Sequence, residues 1–79
     1  MKLTYDPRYN IAYLRFHEKT EAVETIPISS ELNIDIGLQG VIYGIELLNA
    51  NEQLMKEDAG KLVVVNEARG QQIEVPWGS

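Results

Sequence analysis

Residues 31–48 carry the most constraining pattern in this 79-residue chain. Leu32, Ile34 and Ile36 alternate with Asn33 and Asp35, the period of a half-buried strand. Slipping that strand by one residue would bury Asn33 and Asp35, so its register is tightly specified. Gly37 and Gly40 then suit the positive φ of a tight turn. A return strand follows from Val41 to Leu48. Val41, Tyr43, Ile45 and Leu47 fall on one side, and Ile42, Gly44, Glu46 and Leu48 on the other. A strand apolar on both faces is usually covered on both. Gly44 in mid-strand predicts a bulge or the close approach of another backbone.

Strand-like stretches flank this hairpin. Residues 2–5 alternate, and Asp6 with Pro7 makes a turn. Residues 11–16 form a second strand, with Ala12, Leu14 and Phe16 opposed to Ile11, Tyr13 and Arg15. Neither face is simply polar, so Tyr13 and Arg15 call for cover from a loop, a helix or another subunit. Residues 21–28 give a third strand, with Pro27 at an edge, a bulge or the strand end. From Asn49 the period changes to that of a short helix of about two turns. Asn49 or Asn51 is placed to cap it, Leu48, Leu54 and Met55 to anchor one face, and Gly60 to end it. Residues 61–65 and 71–75 pair as a C-terminal hairpin. The expectation is one α+β domain over residues 1–79. It is mainly an antiparallel sheet: a meander of about five strands, one short helix and the C-terminal hairpin at 61–76.

A single core of this size barely offsets the entropy of ordering the chain. Disulfides, metals or a second subunit are the usual supplements. The chain has no Cys and one His, which removes disulfides and thiolate metal sites and argues against structural zinc. No cofactor is expected. Association with a second copy is the remaining device, and a homodimer is expected.

The formal net charge is −5, and the seven bases are scattered without a basic run. Phosphate contacts dominate nucleic-acid affinity, so a nucleic-acid partner is not expected. Neither is an anionic membrane surface. No leader-like segment and no apolar run of membrane-spanning length is present, which favours the cytosol. A basic protein partner is compatible with the charge.

Chemistry is thinly represented. Asp6 and Glu46 would need one shared cleft to act as an acid/base pair. The simpler reading has Asp6 capping its turn and Glu46 facing solvent or Arg15. His17 beside Glu18 is a possible general base in a charged turn. The Gly37-Leu-Gln-Gly40 segment lacks the Lys and following helix of a phosphate cradle. Aromatics are frequent for so short a chain: Tyr5, Tyr9, Tyr13, Tyr43 and Trp77. Tyr13 and Tyr43 can be cross-strand neighbours in the core. Tyr and Trp also favour interfaces. The interface candidates are Tyr13, Ile42, Tyr43, Leu48 and Trp77.

Three separated pieces resemble the domain of unknown function 2283 family of small prokaryotic proteins. They are Met1-Lys-Leu-Thr-Tyr-Asp-Pro7, Ala12-Tyr-Leu-Arg-Phe16 and Gly40-Val-Ile-Tyr-Gly-Ile-Glu-Leu-Leu-Asn-Ala50. The resemblance covers roughly the first 55 residues and implies an antiparallel sheet with a short helix. It departs at Gly37-Leu-Gln-Gly40, where the family often carries acids, and it does not reach the tail from Lys61 to Ser79. It implies no catalytic residues. The leading functional expectation is therefore a non-enzymatic, self-associating protein-interaction module. Two alternatives stand beside it. One is an acidic partner that neutralises or regulates a small basic protein. The other is a weak hydrolase or ligand-binding protein using Asp6, Glu46 and His17.

Overall fold

The computed structural model describes residues 1–76, so Trp77 lies outside the described residues. Seven strands run in chain order: β1 (Lys2–Asp6), β2 (Ile11–Arg15), β3 (Glu24–Ser29), β4 (Leu32–Ile36), β5 (Ile42–Leu48), β6 (Lys61–Asn66) and β7 (Gln71–Pro76). One helix, α1 (Ala50–Leu54), follows β5. The first five strands form one antiparallel sheet in the order β1-β2-β5-β4-β3, and β6 with β7 forms a separate hairpin. The antiparallel sheet, short helix and C-terminal hairpin match the expectation. The meander, however, comes in two pieces. β1–β2 and β3–β4–β5 are each consecutive, and the chain crosses from β2 to the opposite edge before returning to the centre.

The registers explain which face is which. Leu3, Leu14, Ile45, Ile34 and Ile26 lie in one row across all five strands. Tyr5, Ala12, Leu47 and Leu32 form the next row on that face. The rows between them are polar. One contains Thr4, Tyr13, Glu46 and Asn33, and the other contains Lys2, Arg15, Gly44, Asp35 and Thr25. The period-two alternation thus builds one aliphatic face and one mainly polar face, to which Ile11 and Leu48 add an apolar pair at one end. Tyr13 stands opposite Glu46, not Tyr43. Tyr43 lies further along, where its carbonyl accepts from the Phe16 N–H at 2.8 Å.

Two local expectations change. Gly37 keeps φ −92, and it is Gln39 and Gly40 that take positive φ. Gly37 is small for another reason: a Cβ there would lie 2.6 Å from the Tyr43 ring. The helix is also shorter than expected and ends at Leu54, while Gly60 closes a separate 3-10 turn at Asp58–Gly60. Asn49 sits at the N-cap position, but its side chain caps nothing there. The cap comes from the β1–β2 turn instead. The Asn10 side-chain oxygen accepts from the Asn51 N–H at 2.6 Å, and the Asn10 carbonyl accepts from the Ala50 N–H at 2.9 Å. Asn10 donates in turn to the Asn49 side-chain oxygen at 3.1 Å. Asn10 and Asn49 both hold left-handed backbone, which Asn tolerates better than most residues. This lattice pins α1 against the sheet end and buries Ala50 completely.

Candidate functional site

Two features stand out, one on each face of the large sheet. On the polar face, Asp35 is the buried charged residue among the described residues. Thr25 donates to one carboxylate oxygen at 2.7 Å. The Tyr13 hydroxyl donates to the other at 2.8 Å, and the Lys19 ammonium reaches that same oxygen at 3.0 Å.

Gly44 makes this meeting possible. It sits between Arg15 and Asp35 in the sheet. A Cβ at Gly44 would run into the Tyr13 phenol and lie 2.9 Å from the Leu14 carbonyl oxygen. The missing side chain lets the Tyr13 ring lie across β5 and deliver its hydroxyl to Asp35. The close approach expected at Gly44 is thus mainly by a ring. The expected bulge is also there: β5 steps from Gly44 to Ile42 while β4 steps only from Asp35 to Ile36, so the extra residue, Tyr43, lies on Gly44's own strand. The loop after β2 then covers the site, with Lys19 5.6 Å from the centre of the Tyr13 ring. Tyr13 is covered by a loop, one of the three covers considered for it.

The electrostatics follow from this geometry. Burial pushes the Asp35 carboxyl up, but the hydrogen bonds from Thr25, Tyr13 and Lys19, with the Lys19 charge, outweigh it and hold the carboxyl below its ordinary value. Burial, and the hydrogen bond to Asp35, push the Tyr13 phenol up. The bond to Asp35 raises the Lys19 ammonium. An ionised carboxylate with a donor on each oxygen is a firm strut and a weak base.

The opposite face offers a different kind of site. A cleft of about 410 Å³ opens between the aliphatic face and the C-terminal hairpin. Its floor is Leu3, Leu14 and Leu47, Leu54 of α1 closes one end, and Leu62 and Val64 of β6 form a wall. No ionisable side chain lines it. A smaller hollow of about 240 Å³ lies between residues 22–24 and 36–38.

The remaining sequence candidates are dispersed. Asp6 caps its turn by accepting from the Arg8 N–H at 2.9 Å. Hydrogen bonding to the Arg8 side chain leads the effects that lower its carboxyl. Glu46 accepts from Asn33 at 3.0 Å rather than pairing with Arg15, whose partner is Glu18 at 3.7 Å. His17 is exposed and meets the Tyr43 ring edge-on at 6.0 Å. Asp6, Glu46 and His17 line neither hollow. No group of three or more His, Asp or Glu side chains able to hold a metal ion occurs among the described residues. Among the interface candidates, Ile42 is exposed, Tyr13 and Leu48 are half-buried, and Tyr43 is buried. The open apolar surface therefore lies mostly on the face opposite Tyr13 and Leu48, and the register shift sets Ile42 opposite Ile36 on the aliphatic side. Asp35 was legible only as a polar position on an alternating strand. Its burial depends on a loop that sequence patterning does not place.

The chain matches a family model described as a protein of unknown function (DUF2283) over residues 2–51. That stretch holds the whole five-stranded sheet and the first residues of α1, and it stops short of β6. No curated protein and no solved structure matches the chain. No helix among the described residues is long and apolar enough to cross a membrane.

Proposed function

The chain belongs to this family of proteins of unknown function, and from that premise we propose that it is a non-enzymatic interaction module that works as a homodimer. The observation that carries the reading is surplus surface. The chain exposes 5984 Å² at a mass of 8.9 kDa. A folded monomer of that mass is expected to expose about 4,800 Å², so the excess is roughly 1,200 Å². A standard protein interface buries about 800 Å² per partner.

The dimensions point the same way. The radius of gyration is 14.1 Å and the shortest dimension 19 Å. A compact domain of this length is expected near about 11.6 Å. The interior is correspondingly thin: no large side chain is fully buried among the described residues. A protein this short with so little interior gains its missing burial most directly from a second subunit. Nor is the buried carboxylate arranged for acid/base work, since each oxygen of Asp35 already accepts from neighbours.

Sedimentation equilibrium of the full chain tests the proposal. The expected result is a dimer mass at micromolar concentration, with dissociation only on dilution. A monomer mass throughout the range up to about 100 μM, where even an interaction of only about 6 kcal/mol would register, overturns it.

A further inference from the structure

Resting on that reading, we infer that the C-terminal hairpin is the dimerisation arm: Ile73 and Val75 of one copy fill the aliphatic cleft of the other, and reciprocally.

Four aliphatic side chains share one face of the hairpin, while Val63 and Val65 sit among Gln72 and Glu74 on the other. Leu62 pairs with Val75 and Val64 with Ile73, so the four side chains project together. They are 39%, 42%, 51% and 64% exposed for Leu62, Val75, Val64 and Ile73. A two-stranded hairpin is marginal in water by itself. Here only half of that face is used. Leu62 and Val64 line their own protomer's cleft, whereas Ile73 and Val75 do not. The cleft remains open because β6 alone cannot close it over Leu3, Leu14 and Leu47.

The occupant follows from chemistry and symmetry. A cleft lined by aliphatic side chains selects an apolar filler that brings no charge or unsatisfied hydrogen bond. This chain carries such a filler one strand away from the opening, about 4.8 Å off in the hairpin. Filler and cleft on the same chain are the requirement of a two-fold interface, in which each copy supplies both halves. The surplus surface of roughly 1,200 Å² is enough to supply the share of about 800 Å² that one partner buries in a standard interface. Neither Ile73 nor Val75 touches the Asp35 network or the Asn10 cap, so the arm is separable from what holds the sheet together.

The test uses the absence of native Cys. Full-length Leu3→Cys and Ile73→Cys chains, tagged to differ in mass, are mixed, equilibrated and mildly oxidised. The mixed disulfide is expected roughly tenfold above either homodisulfide, because docking raises the effective concentration of that one pair. In parallel, the Ile73→Lys/Val75→Lys variant is expected to keep its circular dichroism while its dimer dissociation constant rises at least about 100-fold. A wild-type dimer with neither the mixed-disulfide preference nor weakening in the double variant overturns the arm and leaves self-association standing. A wild-type monomer overturns both. A monomer whose cleft takes up a fatty-acyl probe also overturns the arm, since the cleft then has a different occupant.

Discussion

The five-stranded sheet and the C-terminal hairpin are both antiparallel, and yet they are held very differently. The sheet is braced from outside its ladders. Asp35 ties β4 to β2, β3 and the loop carrying Lys19, while Asn10 ties the β1–β2 turn to α1. The hairpin has its ladder, a turn in which the Arg69 N–H donates to the Asn66 carbonyl at 3.2 Å, and a Lys61–Glu74 pair at 3.3 Å. Its remaining asset is an aliphatic face without a full cover. Alternation is enough to specify strand pairing, but stability comes from what packs against the pair. In the sheet that layer is partly internal. For the hairpin, the arm proposal places it in a second copy.

Substitutions at three positions press on that contrast. Gly44→Val should have the largest effect, because a side chain there displaces Tyr13 from β5 and crowds the Leu14 carbonyl. A loss of about 3 kcal/mol is expected in the denaturant midpoint, at every protein concentration. A loss under about 1 kcal/mol would mean that Tyr13 does not lie across Gly44.

Asp35→Ala comes next. It removes the acceptor shared by Thr25, Tyr13 and Lys19 and should cost about 1–3 kcal/mol. Its pH signature is specific. The folded carboxyl lies below its ordinary value, so its contribution is fully present above about pH 5 and fades as pH falls through the folded value. Wild type and Asp35→Asn should therefore differ at neutral pH and converge as the pH drops below about 4. A gap that stays constant down to the acid limit would show that the ionised carboxylate contributes nothing.

Lys61→Ala should have the smallest effect. Both partners in its ion pair are nearly half exposed, so a change within about 0.5 kcal/mol is expected in thermal or denaturant unfolding. A larger change would mean that the hairpin is braced by charge, and would blur its contrast with the sheet.

Much of the fold could be read from residue order. The strand at Leu32–Ile36 emerged from alternation alone, and the pairing of residues 61–65 with 71–75 from a β-rich run, a turn and a returning strand. Those signals are local: side-chain period and turn chemistry act within a few residues. The site was far less legible. Tyr13, Thr25 and Lys19 are each ordinary in sequence and converge on Asp35 only through strand order and a loop crossing. The helix cap was misplaced for the same reason, since Asn10 lies 41 positions before the Asn51 N–H it satisfies.

The sequence by itself determined the strand pattern, the small size of the core and the aliphatic side of the Leu32–Ile36 strand. These follow from periodicity and from a chain too short to enclose much surface. Only the tertiary structure decided which face is open. The β2–β3 crossover brings the Lys19 loop over the polar side, and the separate hairpin leaves a cleft on the aliphatic side. Alternation distinguishes two faces of a strand. It does not say what will lie against either, because that depends on contacts far apart along the chain.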